Sequence, residues 1–539
     1  METSGLRAGI CSLGNDRLRR PVSIPHEDTC ALMIDVPALA TALDLLFGSF
    51  SPWLFVIPGL LIGLVFGAIP GLQVSMAMAL FLPLTFSMDF IQSIMFLTSI
   101  FTGGVYGGGV TAILMNIPGS SSSVATAFDG YPMACKGQQN QALGLSLGAS
   151  VIGAFIGYAA LFLLIQPLAV VVLKLGPLEM VLVIAWGLTL IATLSEKSVA
   201  KGLLAGMLGL VLSQVGMSST GVLRATFGSS YLLDGVQVVP AMIGIFAASE
   251  LLRIRERQTL STTEDIPSIA FGPIIRAMFS TFRYPSVLLR GSGIGVLIGA
   301  VPGVGSSVAN LVAYGEARRT SRRPEDFGTG IPEGVIAAES ANSSSEGGSM
   351  TALLALGIPG GAATAVLMAA FSYHNIVGGP SLIRDQGDLV YAIILGNIVQ
   401  VLLLGIVGLL VLRILGMVIK VPLRYLIPSV LALCAWGGFG VAGTIAGPLT
   451  VAVFACLGWL MRRHNYPVAA TVIALLLGGM AEGEMVRSLQ ISGGHLGAYL
   501  LERPISMLLF ALMLLSIGAA ALKALRINRR SQPSDTQGR

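Results

Sequence analysis

One short phrase occurs twice in this chain, each time between two apolar runs. Its first copy reads Phe-Gly-Ala-Ile-Pro-Gly over residues 66–71, and its second reads Ile-Gly-Ala-Val-Pro-Gly over residues 298–303. A second phrase, Ile-Pro-Gly, follows each copy at residues 117–119 and 358–360. The two copies lie 232 positions apart for the first phrase and 241 for the second. The shared order and near-equal spacing predict a duplicated unit.

The apolar runs themselves predict an integral membrane protein. Of the 539 residues, 54% are hydrophobic and 11% are charged, whereas about 25% of the residues of soluble domains are charged. The apolar runs are continuous rather than alternating, which favours helices over a barrel. Basic residues form short clusters between these runs, which is typical of membrane flanks and does not indicate nucleic-acid binding. We expect an all-α polytopic protein in the lipid bilayer, with about 12 membrane passes.

The basic clusters also constrain the second copy of the phrase. Arg290 and Arg318 flank the apolar run 291–317, and the positive-inside bias predicts that both lie in the cytoplasm. The run then has to enter and leave by one side, with arms of about 11 to 14 residues that reach roughly 16 to 21 Å, near mid-membrane. A re-entrant hairpin is the preferred interpretation, and a kinked full span is the alternative.

The duplication gives a predicted domain organisation. Residues 1–50 lack the apolar core of a signal peptide, and Met33 is an alternative start. We expect two structurally related repeats of inverted topology, each with a re-entrant hairpin and broken helices, joined by one polar stretch. The predicted divisions are 1–50 (N-terminal extension, disordered and then amphipathic), 51–252 (first repeat), 253–290 (polar amphipathic connector), 291–500 (second repeat), 501–525 (C-terminal transmembrane helix) and 526–539 (cytoplasmic tail).

The Pro-Gly phrases are the candidate functional sites. Backbone polar groups freed inside a membrane have to be paired or line a cavity. The N–H groups of a helix N-terminus favour an anion, freed carbonyls suit Na⁺, and broken helices paired near mid-membrane form the sites of secondary transporters. A single break is more often a packing kink, but matched pairs favour a site. The predicted breaks are Pro70, Gly71, Pro118, Pro302 and Pro359. The predicted substrate-binding residues are Asn116, Gly119, Ser120, Ser121, Ser122, Gly303, Gly305, Ser306, Ser307, Asn342, Ser343, Gly360 and Thr364.

A polar insert over residues 339–348 precedes the second Ile-Pro-Gly phrase. Its small polar residues are expected either to line a hydrophilic cavity or to form an ordinary loop that caps the next helix. Glu339 and Asp129 are the acids expected at membrane depth, where an ionisable side chain is a candidate for ion coupling. The alternative is that both are interfacial caps.

Several kinds of enzyme lack support in the sequence. The chain has no His-Glu-x-x-His or P-loop lysine motif and no Gly-x-Ser-x-Gly with a plausible catalytic partner, and its four histidines are dispersed. The five cysteines show no metal-ligand spacing. We therefore predict a non-enzyme without a cofactor, in which transport uses an ion gradient, with Na⁺ or H⁺ as the coupling ion.

The motifs resemble those of the TctA-type large transmembrane subunit of the tripartite tricarboxylate transporter (TTT) family. The likeness covers most of residues 50–390, and its most specific phrase is Asp-Gly-Tyr-Pro-Met-Ala at 129–134. Two departures are Cys135, where an arginine is usual, and Ser343-Ser344, where the family often continues with Asn-Ala.

The resemblance implies the translocation subunit of a secondary transporter in the bacterial inner membrane. Its implied partners are a small membrane subunit (TctB-like) and a periplasmic solute-binding protein (TctC-like). The implied substrate is a carboxylate, either a tricarboxylate such as citrate or a dicarboxylate, imported with Na⁺ or H⁺. A stand-alone carrier, a channel and a membrane scaffold are the alternatives.

Overall fold

The computed structural model describes residues 35–193, 199–256, 269–418 and 423–530. Most of the predicted N-terminal extension, part of the connector and most of the predicted tail lie outside these ranges. The helices are α1 (Val36–Phe47), α2 (Val56–Ala68), α3 (Val74–Phe81), α4 (Phe90–Met115), α5 (Val124–Cys135), α6 (Gln139–Val172), α7 (Pro177–Thr193), α8 (Val199–Ser213), α9 (Val238–Met242), α10 (Ser249–Glu256), α11 (Phe271–Ser280), α12 (Pro285–Gly299), α13 (Gly305–Thr320), α14 (Pro332–Thr351), α15 (Ala362–Tyr373), α16 (Pro380–Asp385), α17 (Gly387–Val418), α18 (Leu423–Ala442), α19 (Ala446–Arg463), α20 (Val468–Ile491), α21 (Leu496–Glu502) and α22 (Pro504–Arg530).

The prediction of an all-α membrane protein is confirmed for the described residues. Their strands are limited to a short antiparallel pair, β1 (Gly216–Met217) and β2 (Leu223–Arg224). Among the described residues, five helical segments are long and apolar enough to cross a membrane: Ser51–Ala68, Phe90–Met115, Gln139–Val172, Gly387–Leu415 and Val468–Ile491. The pair α21 and α22, bent by 104°, makes a sixth if the two helices form one span. The count of about 12 passes stays a prediction, because many of the remaining apolar helices are only 10–17 residues long.

Proline and glycine interrupt the helices at the first phrase in both places. Pro70 and Gly71 lie between α2 and α3, and Pro302 and Gly303 lie between α12 and α13. Gly71 has φ +91° and Gly303 has φ +81°, a left-handed conformation that other residues rarely adopt. Proline supplies no N–H to continue either helix. The sequence therefore interrupts the helices at matching positions of the two copies.

At the second phrase the helices end in a different way, at a residue with positive φ that precedes the proline. α4 ends at Asn116, which has φ +57°, and a 3₁₀ turn over Ser121–Ser123 then leads into α5. α14 continues as a π-helical turn over Ala352–Leu356 and ends at Gly357, with φ +69°. A left-handed residue is the usual stop of a helix, and Asn and Gly tolerate it best. Both long helices thus end just before an Ile-Pro-Gly phrase.

Glycines let α2 lie directly against α4. Gly59, Gly63 and Gly67 recur every four residues along one face of α2. A Cβ added at Gly63 would lie 2.8 Å from the backbone nitrogen of Gly104 and 2.9 Å from the carbonyl carbon of Ile100. Such small-residue stripes allow close backbone approach between membrane helices.

The same stripe occurs 232 positions later and holds α12 against α14. Its members are Gly291, Gly295 and Gly299. A Cβ added at Gly295 would lie 2.9 Å from the Cα of Ala341, and one at Gly299 would lie 2.8 Å from the Cα of Ser345. The two helix pairs therefore pack through matched positions.

α14 is the most enclosed helix of the site region, although its sequence is polar. Every residue from Gly334 to Thr351 is buried. α6 covers another side of it, because Gly153 lies on Ser340 and Gly157 on Ser344. The alternative in which residues 339–348 form a polar capping loop is wrong, since these residues continue one helix that is packed on several sides by its neighbours.

Candidate functional site

The N-termini of α3, α5, α13 and α15 meet at one cavity of about 150 Å³. Two of these helices follow the first phrase, and two follow the second. The cavity is lined by Gln73, Val74, Ser75, Phe101, Val105, Ser120, Ser121, Ser122, Gly305, Ser306, Ser307, Ser345, Ser349, Gly361, Ala362, Ala363 and Thr364. Each break therefore delivers the start of a helix, with its free N–H groups, to the same place.

Hydroxyl groups fill the wall formed by the start of α5. The Ser120 hydroxyl lies 2.8 Å from that of Ser122 and 3.2 Å from that of Ser123. Across the cavity, the Ser121 hydroxyl lies 2.8 Å from the hydroxyl of Ser307 at the start of α13. This contact joins the two halves of the chain over the site.

Backbone bonds fix the breaks behind these hydroxyls. The Gly303 N–H donates to the Gly360 carbonyl at 2.9 Å, so the α12–α13 turn is tied to the α14–α15 break. The Gly119 N–H donates to the Gly108 carbonyl at 3.3 Å, which holds the α4–α5 break against α4. The breaks are thus positioned by main-chain contacts, and the serines beside them line the cavity.

The lining chemistry suits an anion without using a charged side chain. The lining residues include no lysine, arginine, aspartate or glutamate. Helix N-termini carry partial positive charge and unpaired N–H donors, and serine and threonine add hydroxyl donors. Within the described ranges, no group of three or more His, Cys, Asp or Glu side chains is placed to hold a metal ion.

The structure brings together part of the predicted substrate-binding set. The predicted residues that line the cavity are Ser120, Ser121, Ser122, Gly305, Ser306, Ser307 and Thr364. Gly119, Gly303 and Gly360 lie in the backbone contacts behind it. Asn116 is exposed at the end of α4, while Asn342 and Ser343 are buried in α14.

Other lining residues were missed by sequence reasoning. Gln73 and Ser75 follow the first Pro-Gly break just as Gly305 and Ser307 follow the second, so the repeat itself contained the signal that identifies them. Ser345 lies within the polar insert 339–348, whose small polar residues were expected to line a cavity as one of two alternatives, whereas Ser349 carried no comparable signal. Their face of α14 is defined only by the helices packed around it.

Asp129, a predicted ion-coupling residue, anchors the loop before α14. Its Oδ1 accepts the backbone N–H groups of Gly328 and Gly330, each at 2.8 Å, and of Ile331 at 3.1 Å. Its Oδ2 accepts the hydroxyl of Tyr314 at 2.8 Å. Four donors stabilise the ionised carboxylate in this buried position. A role in coupling stays a prediction.

Glu339, the other predicted acid, lies fully buried on α14. Its Oε1 accepts the hydroxyl of Thr126 at 2.5 Å, and its Oε2 accepts that of Ser150 at 3.0 Å. These donors come from α5 and α6, so the carboxylate joins three helices. Its ion-coupling role also stays a prediction.

Comparisons with known proteins agree with the motif evidence. The family model described as "Tripartite tricarboxylate transporter TctA family" matches residues 53–473. An Agrobacterium vitis protein named "Uncharacterized 52.8 kDa protein in TAR-I ttuC' 3'region" is 32% identical over 481 residues, covering 88% of this chain and 94% of that protein.

A second relative is shorter. The Agrobacterium vitis "Uncharacterized protein in TAR-II ttuC' 3'region" is 29% identical over 235 residues, covering 44% of this chain and 97% of that protein. No solved structure matches the chain.

Proposed function

Because the chain belongs to the tripartite tricarboxylate transporter TctA family, we propose that it is the translocation subunit of a secondary transporter that imports carboxylates. The observation that carries this proposal is the convergence of four helix N-termini and their hydroxyls on one cavity. A substrate with several carboxylate groups offers an anion to more than one of these ends. Its partners in this proposal are a small membrane subunit and a periplasmic solute-binding protein in the bacterial inner membrane.

The proposal includes two repeats of inverted topology. α5 leads from the cavity to the second half of α13, where the Tyr314 hydroxyl donates to Asp129. α15 leads from the cavity to the chain that follows α3, where the Tyr373 ring stacks on Phe86 with centroids 3.7 Å apart. The helix that follows each Ile-Pro-Gly phrase thus contacts the proposed hairpin of the other repeat. This exchange supports hairpins that enter from opposite sides of the membrane.

The positions of the basic residues support the same orientation. Arg290 lies near the start of α12 and Arg318 near the end of α13, and both are exposed. α12 and α13 pack against each other. A re-entrant α12–α13 hairpin with its base in the cytoplasm accounts for both facts.

In this mechanism the substrate binds between the hairpin tips and the two halves expose it alternately. The contact between Ser121 and Ser307 closes part of the cavity, so separation of these hydroxyls is the proposed local opening step. No nucleotide-binding motif stands in the sequence, and a Na⁺ or H⁺ gradient is the proposed energy source.

The first experiment is uptake of labelled citrate and of dicarboxylates into proteoliposomes that hold this chain and its small partner subunit. The binding protein and an inward Na⁺ or proton gradient are each added or withheld. Saturable accumulation that needs the binding protein and a gradient supports the proposal. Uptake without the binding protein indicates a stand-alone carrier, and unsaturable flux without a gradient indicates a channel.

Variants then test the site. Ser121→Ala and Ser306→Ala remove hydroxyls from opposite walls and are expected to raise the half-saturating substrate concentration, each by roughly 10- to 150-fold, because a hydrogen bond to a charged group contributes about 1.5–3 kcal/mol. Ser87→Ala is the matched control, since its exposed hydroxyl only bonds the Leu84 carbonyl. Equal kinetics in all three variants would refute the site.

A further inference from the structure

Glu346 is a buried acid that the proposed substrate site does not use. Its carboxylate is fully buried on α14, and its Oε2 accepts the hydroxyl of Thr102 at 2.9 Å. No described residue donates a hydrogen bond to its Oε1. Glu339, two turns earlier on the same helix, differs because both of its oxygens accept hydroxyls.

A second unpartnered oxygen lies one turn from Glu346. Asn342 is fully buried, and its Nδ2 donates to the Val105 carbonyl at 3.4 Å, while its Oδ1 has no donor among the described residues. Side chains four apart on a helix lie on the same face. Two acceptors without a donor are costly in a buried place, and a cation placed with them removes this cost.

No fixed positive charge supplies that cation. α4, α6 and α14 contain no lysine or arginine. α12 contains Arg290, which is exposed and donates to the Ser286 carbonyl instead. α5 and α13 also pack on α14; their titratable groups are Asp129, Tyr131, Cys135, Tyr314, Glu316, Arg318 and Arg319. Arg318 donates to the Pro324 carbonyl and Arg319 pairs with Glu316. Glu333 and Glu339 lie on α14 itself, and the described residues supply no partner for the hydroxyls of Tyr106 on α4 and Tyr158 on α6. An ionised Glu346 is therefore an uncompensated buried charge unless a mobile cation joins it.

Neighbours of both acceptors line the cavity. Ser345 and Ser349 flank Glu346 on α14 and line the cavity, and Val105, whose carbonyl binds Asn342, lines it from α4. A cation held here would attract an anionic substrate across a medium of low dielectric constant. Binding of each would then favour binding of the other.

From this geometry we propose that Glu346 and Asn342 form the site for the coupling cation. A proton and Na⁺ would both supply one positive charge, bound by the carboxylate of Glu346 and the amide oxygen of Asn342. A proton on Glu346 satisfies both oxygens by a hydrogen bond to Asn342, and Na⁺ satisfies both by coordination. This inference rests on the proposed function, since it names the ion site of the same transporter.

The test measures cation binding on the purified full-length protein without substrate. One arm compares the melting temperature in NaCl with that in choline chloride. The other follows the infrared carbonyl band of a protonated carboxyl group as pH changes. Glu346→Gln is neutral at every pH and keeps the side-chain shape, whereas Glu325→Gln removes an exposed carboxylate and is the matched control.

The expected result is that one of the two signals is present in wild type and in Glu325→Gln but absent in Glu346→Gln. Loss of the Na⁺ effect assigns the site to Na⁺, and loss of the titrating band assigns it to the proton. If wild type shows neither signal, or if Glu346→Gln keeps every signal that wild type shows, the proposal is overturned.

Two further measurements keep the test decisive if Glu346→Gln does not fold or if citrate is not the substrate. If Glu346→Gln does not fold, Asn342→Ala keeps the carboxylate, and the proposal requires it to shift the Na⁺ or pH midpoint. An unchanged midpoint would overturn the proposal. Citrate exchange without a gradient is measured separately. Its absence in wild type would refute citrate transport, whereas the cation signals would still decide the role of Glu346.

Discussion

The glycine stripe of α12 gives a prediction in which one substitution has opposite effects at two positions. Gly295 and Gly293 lie on the same helix, and both have ordinary helical backbone. A Cβ at Gly295 would lie 2.9 Å from the Cα of Ala341, and closer still to its carbonyl oxygen. A Cβ at Gly293 would meet nothing within 4 Å.

The magnitudes follow from these distances. Ordinary contact begins at 3.4 Å, so Gly295→Ala requires α12 and α14 to separate by at least about 0.5 Å. Such overpacking lowers the free energy of unfolding by about 1–3 kcal/mol. Gly293→Ala instead removes backbone freedom from the unfolded chain and should raise it by about 0.5–1 kcal/mol. The two variants should therefore differ by about 1.5–4 kcal/mol.

The assay is unfolding of the purified protein in mixed micelles as the SDS fraction rises, followed by the fluorescence of its four tryptophans. Gly295→Ala should unfold at a lower SDS fraction than wild type, and Gly293→Ala at an equal or higher one. If Gly295→Ala unfolds at the same fraction as Gly293→Ala, the close α12–α14 contact does not limit stability and the packing argument is refuted.

Three other predictions concern contacts elsewhere in the chain. Asp129→Asn removes the charge that four donors stabilise and should cost about 1.5–3 kcal/mol, which faster limited proteolysis of the loop before α14 would reveal. Arg503→Ala leaves Glu179, its buried partner at 2.8 Å, without a cation and should cost about 3–5 kcal/mol in the SDS assay; adding Glu179→Gln should restore part of the loss. In a background without native cysteines, Ser121→Cys with Ser307→Cys should cross-link on oxidation and stop uptake until reduced, and unchanged uptake by the cross-linked protein would contradict the proposed opening step.

Local chemistry made several features predictable. α12 ends just before Pro302 and Gly303, because proline lacks an N–H and Gly303 adopts a positive φ. The serines that follow such a stop necessarily stand near a helix N-terminus. Ser306 and Ser307 could therefore be named as site residues before any tertiary contact was known.

The local sequence of residues 339–348 could not show whether they form a loop or a buried helix. Their small polar side chains are as consistent with a loop as with a helix, and they are too polar to be recognised as a membrane span from hydropathy. α14 nevertheless forms and is buried, because Gly157 and Gly295 allow neighbouring helices to approach its backbone. Whether Glu346 has a hydrogen-bond donor on each oxygen depends on those neighbours.

The sequence by itself determined that the chain is a helical membrane protein and where its helices break, because hydropathy and backbone dihedral preference act over a few residues. Only the tertiary structure decided that four of the broken ends meet at one cavity. It also decided that Asp129 binds a loop while Glu346 retains an unpartnered oxygen. The physical reason is that hydrogen-bond satisfaction depends on side chains 200 or more positions away, as the pairs of Thr126 with Glu339 and of Thr102 with Glu346 show.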